Sequence, residues 1–364
     1  MKPFDVVLVG DFRFPGGTSV ATSHEIRALA GAGLSIGLIQ ANAPLLRQQR
    51  PMHQQIRACV NDGQATVIPA GTRKVEAGLG ILHSPFVFTD PLKQVPDLHL
   101  GRSILVAHQS HTDRNGVPYY DAARVQAICD DVTGGQVEWA PISPIVRGNL
   151  KRTAPGIPLL DNDWHNIVFP EDWATKRAKP LKKIPVIGRH GRPDRDKWPA
   201  TRRDILQVYP DDPKIDVRLL GTGDHLKRLV GEYPANWATY RFGQIDARQF
   251  LKTIDFFVYY HHPDWIEAFG RTVLEACASG SVAVLPPHFE ATFGDAALYC
   301  PASDAIALVR ELHGDWRRYV QQSNRALRFV NAQHGPEHHV QFIEDLLGRA
   351  EPKEIGRASC RERV

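Results

Sequence analysis

A chain of 364 residues is longer than one hydrophobic core ordinarily serves, so two domains are expected. Its 43% hydrophobic content includes no apolar run near the ~20 residues of a membrane-spanning helix, and a formal charge of +4 is too small to imply nucleic-acid binding. Five scattered cysteines, Cys59, Cys129, Cys277, Cys300 and Cys360, lack C-x-x-C spacing, which argues against a zinc site and a disulfide scaffold.

The start, MKPFDVVLVGDF, has no signal-peptide layout and reads directly as a first strand, so a reduced, cytoplasmic protein is expected. At the other end, 355–364 (IGRASCRERV) resembles the translation of a sequencing-adapter read-through. If so, Cys360 and the three arginines of that segment do not belong to the natural chain's charge and thiol content.

The apolar run 6–9, flanked by Asp5 and Gly10, reads as a strand buried on both faces of a parallel sheet. A loop with the pair Gly16 and Gly17 follows. Ile26, Leu29 and Ala30 then recur at helical spacing until Gly31 and Gly33, before a second strand at 34–39. Strand, loop, helix, strand is a βαβ unit. Glycines opening its helix suit close approach of the backbone to a diphosphate, although Gly-Gly is also ordinary turn chemistry. The dinucleotide fingerprint is missing: it needs spaced glycines directly after the strand and an acid after the second strand, where Gln40, Ala41 and Asn42 stand.

Short strands are expected at 66–69 and 81–83, and a clearer one at 103–108 ends on His108. Open α/β sheets hold ligands at that carboxyl edge, which makes His108 a candidate for a cleft, with His111 as its local competitor. A strand at 136–142 and a short helix at 144–150 come next. Residues 169–183, rich in proline and charge and without periodicity, read as a linker.

A second unit opens with a strand at 184–188 and a basic loop carrying Arg189, Arg192, Arg195 and Lys197. Arginine supplies a planar fork of donors and lysine a mobile point charge, a combination suited to a diphosphate. Asp194-Arg195-Asp196 and Asp161-Asn162-Asp163 each spell D-x-D, a pattern chance supplies freely, and no metal is expected. A helix at 201–209, a strand at 215–220, a turn with Gly221 and Gly223 and a helix at 225–233 follow.

The stretch 259–286 organises the rest. A buried strand at 256–260 runs into a polar loop with Asp264 and Glu267, then into a helix whose Val273, Leu274, Ala276, Cys277 and Ala278 can face inward. Ser279 and Gly280 end it, and 281–285 is a further buried strand. Unpartnered N–H groups at the helix start favour an anion, and Gly270 lets the backbone approach one. Glu267 and Glu275, eight positions apart, can face one cleft at different depths as acceptors for hydroxyl groups. A short strand at 296–300 and helices at 305–313, 315–329 and 337–347 close the chain.

The run EAFGRTVLE from Glu267 to Glu275, continued by ACASG, resembles the E-x7-E motif of retaining glycosyltransferases of family 4. That resemblance implies an α/β protein of GT-B architecture, two Rossmann-like domains with parallel sheets facing across a central cleft. Residues 1–168 would form the acceptor side, 169–183 the linker, 184–335 the nucleotide-sugar side, and 336–350 a helix crossing back to the first domain. The implied reaction is metal-independent transfer of a sugar, with retention, from a nucleotide-diphosphate sugar to a hydroxyl of a saccharide or lipid-linked glycan. The nucleotide sugar is a co-substrate, and no resident cofactor is implied. Peripheral contact with the inner face of the membrane would be compatible, though no basic amphipathic helix in the first domain supports it.

By the same resemblance, Gly16 and Gly17 would face the donor phosphates and His108 the transferred sugar. Arg189 and Lys197 would stabilise the leaving diphosphate, helped by backbone N–H groups of Phe269, Gly270 and Arg271. Glu267 would orient sugar hydroxyls and Glu275 the ribose. The family pairs G-R with K-G; here Gly188, Arg189 and Lys197 fit, but Trp198 replaces the glycine and the interval is long, which leaves Arg192 as an alternative ligand. Three rivals use the same features: a sugar-nucleotide epimerase of this fold, a dinucleotide-dependent oxidoreductase, disfavoured by the missing fingerprint, and a non-catalytic glycan-binding relative.

Overall fold

A computed structural model describes residues 2–348; the segment 355–364, Cys360 included, lies outside the described residues. Six parallel strands form the first sheet: β1 (Phe4–Gly10), β2 (Ile36–Gln40), β3 (Thr66–Val67), β4 (Lys74–His83), β5 (Asp97–Ala107) and β6 (Glu138–Pro141), in the order β3-β2-β1-β4-β5-β6. β1 sits centrally because Val6, Val7, Leu8 and Val9 are apolar on both faces, and all four are fully buried.

The second sheet is also six-stranded and parallel: β7 (Val186–His190), β8 (Asp216–Thr222), β9 (Trp237–Arg241), β10 (Phe256–Val258), β11 (Val282–Leu285) and β12 (Leu298–Tyr299), ordered β12-β11-β10-β7-β8-β9. Two doubly wound α/β units therefore make up the described chain, with helices connecting the parallel strands.

Sequence pattern and structure differ at particular strands. β4 and β5 begin well before the apolar runs that betray them, because Lys74 and Glu76 alternate with buried Val75 and Ala77 and pair with the start of β5 beyond the edge of β1. β9 leaves no signal in the sequence pattern. It is a half-exposed edge strand without an apolar run, paired only to β8.

The linker is tied down rather than free. After the short helix Pro170–Trp173, Arg177 is buried and its guanidinium donates to the Leu251 carbonyl at 2.7 Å and the Ser281 hydroxyl at 2.9 Å. One cation of the basic stretch is thus a brace inside the second unit. The long helix Trp316–His334 leads to Pro336–Leu346, which lies against the first unit: His339 Nε2 stands 2.9 Å from Glu25 on the helix Gly17–Gly31. Among the described residues no helix is long and apolar enough to cross a membrane.

Candidate active site

The two units meet at their glycine-led helix starts. Helix Gly17–Gly31 begins after Gly16 (φ 90°) and helix Arg271–Ala278 after Gly270 (φ 93°); neither has a side-chain cap or an acid in its first turn. Both positive φ values suit glycine, which suffers no Cβ clash there. A Cβ placed on Gly16 would lie 3.8 Å from Arg192 Cδ, and one on Gly17 4.0 Å from Arg271 Cδ. The first loop of one unit therefore faces two arginines of the other. Two uncapped helix starts with arginines between them form an anion-binding arrangement.

Arg271 also joins the units. Its guanidinium donates to the Ile167 carbonyl at 3.2 Å and lies 3.0 Å from His24 Nδ1, while Nε sits 3.3 Å from Glu275. Ser143 donates to the Ala268 carbonyl in the loop just before Gly270. Burial pushes the Glu275 carboxyl up to about 7, only partly countered by Arg271. Burial also lowers Arg271, and it presses His24 down to about 3 with the Arg271 charge as the next cause. Phe269 packs its ring against Phe293 and His334, so only its backbone is free to serve a ligand.

Lys197 and Glu267 are brought together. Lys197 Nζ is 2.6 Å from Glu267 Oε2, which also accepts from the Tyr259 hydroxyl at 2.7 Å, and the ammonium lies 4.6 Å from the Trp265 ring centre. Burial alone would raise the Glu267 carboxyl; the Lys197 charge and hydrogen bond, with Tyr259, outweigh it and hold the group below its usual range.

Arg189 sits behind this pair. It is 0% exposed, stacked 4.2 Å from the Trp198 ring centre and 4.6 Å from that of Tyr259, and it donates to the Lys197 carbonyl. Through that bond Arg189 supports the Lys197 backbone, while its Nε and Nη2 have no hydrogen-bond partner among the described residues. Arg192, exposed and 3.1 Å from Asp194, is the loop arginine open to the cleft. Trp198 gives Arg189 an aromatic face. The Gly221 and Gly223 turn seats this loop: a Cβ on Gly221 would fall 1.8 Å from the Gly191 carbonyl oxygen and one on Gly223 2.9 Å from Pro193 Cβ.

His108 directly follows β5 and is 6% exposed. His111 is occupied elsewhere, with Nδ1 2.8 Å from the Thr153 hydroxyl and Nε2 3.0 Å from the Tyr120 carbonyl. It borders a cavity of about 790 Å³ lined by Tyr119, Tyr120, Thr153 and Ile157, which shares no residue with the Lys197–Glu267 site. Among the described residues no three His, Cys, Asp or Glu side chains are grouped to hold a metal. Sequence reasoning missed Tyr259 and Trp265 as partners of Glu267 and Lys197, and Glu25 and His83 behind His108. Only His83 carried a signal, since it too ends an expected strand.

Two α/β units, each built on a six-stranded parallel sheet, are the GT-B fold. No protein-family profile and no curated protein sequence matches the chain. Solved structures do. HepE from Anabaena, crystallised with UDP and glucose, aligns with a TM-score of 0.66 at 11% identity over 95% of this chain and 100% of that one. A glycosyltransferase from Rickettsia africae aligns at 0.63 and 10% identity over 96% and 100%, and WaaG, a glycosyltransferase involved in lipopolysaccharide biosynthesis, at 0.57 and 11% over 94% and 100%. At these identities the likeness is one of fold.

Proposed function

We propose that the protein is a glycosyltransferase of the retaining family 4 type that moves a sugar from a nucleotide-diphosphate sugar to a hydroxyl of a saccharide or lipid-linked acceptor. The observation that carries this reading is the facing of Gly16 and Gly17 by Arg192 and Arg271 at two uncapped helix starts. A diphosphate is the ligand whose shape and charge suit that arrangement. Support also comes from HepE, which shares the fold and was solved with UDP and with UDP-glucose.

In this reading Arg192, Arg271 and the backbone N–H groups after Gly270 hold the diphosphate. Lys197 shifts part of its charge from Glu267 to the departing phosphate as the anomeric bond breaks. Preorganised charge of this kind contributes about 3 kcal/mol per donor. Glu267 is thereby freed for sugar hydroxyls, and Glu275 binds the ribose. Retention of configuration and independence of metal are parts of the proposal that rest on the motif. Stabilisation by nucleotide sugars in a thermal-shift screen, followed by product analysis with saccharide acceptors, tests it. Turnover of the nucleotide sugar without an acceptor, giving an isomer, would sink transfer in favour of epimerisation; lost activity in chelator would sink metal independence.

A further inference from the structure

Two histidines stand side by side at the carboxyl edge of the first sheet, His83 ending β4 and His108 following β5. His83 Nδ1 is 3.1 Å from His108 Nε2, and His83 Nε2 is 2.9 Å from Glu25 Oε2. The other Glu25 oxygen faces His339 Nε2 at 2.9 Å and accepts from the Trp164 indole at 3.1 Å. Every member of this row is buried, His108 being the most exposed at 6%. His165 is the remaining titratable group lining the small cavity beside Glu25, His83 and His108.

Counting hydrogens leaves two arrangements. An ionised Glu25 can only accept, so His83 Nε2 carries a hydrogen. With His83 neutral, its Nδ1 is bare; His108 then donates from Nε2, and His108 Nδ1 keeps a lone pair. With His83 cationic, Nδ1 donates to a bare His108 Nε2, and the hydrogen of His108 sits on Nδ1. The two differ by one proton, taken up at His108 Nδ1 and delivered to His83. That nitrogen has no hydrogen-bond partner among the described residues and is not sealed from solvent. Burial opposes ionisation of Glu25, but the charge of His83 and the hydrogen bond from His339 hold it below the usual carboxylate range. His108 itself stays neutral throughout, pressed down to about 3 by burial and then by the His83 charge.

We propose that Glu25, His83 and His108 form a proton relay that serves the cleft, an inference that rests on the glycosyl-transfer reading above. As the acceptor oxygen bonds to the anomeric carbon, its O–H bond breaks and the proton goes to His108 Nδ1. The His108 Nε2 proton passes to His83 Nδ1, and the electron pair of the broken anomeric C–O bond leaves with the diphosphate. Glu25 holds the resulting cation and, through His339, anchors the helix Pro336–Leu346 at the same carboxylate. His108 is the catalytic residue of this relay; His83 and Glu25 are positioning residues acting through it.

The competing destination for the proton is an oxygen of the departing diphosphate, and the pH dependence of kcat separates the two. His83→Gln keeps a side chain of similar reach that cannot take a proton, and Glu25→Gln removes the charge that holds the cation. Both are measured in the full chain beside His108→Gln, with calorimetric binding of UDP, GDP and ADP as the control for an intact cleft. Expected are kcat losses of about 100-fold in His83→Gln with loss of the acidic limb of the profile, unchanged nucleotide binding, and no further loss in the His83→Gln, His108→Gln double variant. A His83→Gln protein with wild-type nucleotide binding, kcat and acidic limb overturns the relay. Should that variant lose nucleotide binding, the proton inventory of the wild-type kcat in mixed H₂O and D₂O decides: a curved inventory supports two protons in flight, and a linear one overturns them. Absence of turnover by the wild type with every nucleotide sugar would instead sink the underlying reading, and the relay with it.

Discussion

Lys197 Nζ lies 2.6 Å from Glu267 Oε2, closing an ion pair between residues 70 apart in sequence, and Tyr259 donates to the same oxygen. Both charged side chains are mostly buried, at 14% and 13% exposed, so solvent screens the pair little. A cation held this way is preorganised beside the cleft, and it can be shared with an arriving phosphate without leaving the site. Lys197→Ala is expected to cut kcat by about 100-fold or more while the protein still folds. Circular dichroism and steady-state rates check this. Full activity in the variant would remove Lys197 from the mechanism.

The same substitution has a pH signature. Glu267 is held below its usual range in the folded protein, so its contribution to stability is present above the unfolded carboxylate pKa and is lost as pH falls through the lower, folded value. Without Lys197 the burial of Glu267 dominates, and acid should then destabilise the variant less than the wild type. Melting temperatures of both proteins between pH 3 and 6 measure the difference, and parallel curves would contradict it.

Glu275 behaves in the opposite sense. Burial raises its folded pKa to about 7, above the ordinary value of 4.5, so the folded state binds the proton more tightly than the unfolded chain. Its favourable contribution is complete below the unfolded pKa and fades as pH rises toward 7. Glu275→Gln stays neutral and should flatten the melting temperature over that window. A wild-type-like slope in the variant would show that Glu275 is not the group responsible.

Gly16 and Gly17 separate backbone strain from ligand contact. Gly16 has φ 90°, so Gly16→Ala is expected to cost about 1–2 kcal/mol of stability whatever it does to binding. Gly17 opens the helix proper, and a methyl there would meet only Arg271 Cδ at 4.0 Å, an ordinary contact. Gly17→Ala should therefore melt like the wild type yet bind nucleoside diphosphates several-fold more weakly, because the methyl enters the space assigned to the phosphates. Equal affinity, measured calorimetrically, would move the diphosphate away from this loop.

What the sequence made legible follows range in the chain. β1, the first βαβ unit and the stretch from β10 through Gly280 are written in neighbouring residues: apolar runs, glycines at turns, inward-facing spacing on a helix. β9 is an edge strand with mixed burial, and its half-exposed surface leaves no run to read. The partners of the site are hidden for another reason. Glu25, on the helix after β1, and His83, at the end of β4, become neighbours only in the fold, and no local pattern records that. Arg177 looked like one more cation in a basic stretch, yet three hydrogen-bond acceptors of the second unit surround it.

Arg189 is the clearest test of that distinction between charge in a sequence and charge in a fold. A ligand-binding arginine needs an open face, whereas Arg189 is enclosed between the rings of Trp198 and Tyr259 and donates from Nη1 to the Lys197 and Tyr260 carbonyls. Each aromatic contact of this kind contributes about 0.5–2 kcal/mol, and the planar guanidinium is what allows both at once. Arg189→Lys keeps the charge and loses the stacking, so it should lower unfolding free energy by about 2 kcal/mol. Because the Lys197 backbone is then held less firmly, kcat should fall while nucleotide affinity, carried by Arg192 and Arg271, changes little. Chemical denaturation, calorimetry and rates on one preparation check all three. A large loss of nucleotide affinity with unchanged stability would make Arg189 a direct ligand after all.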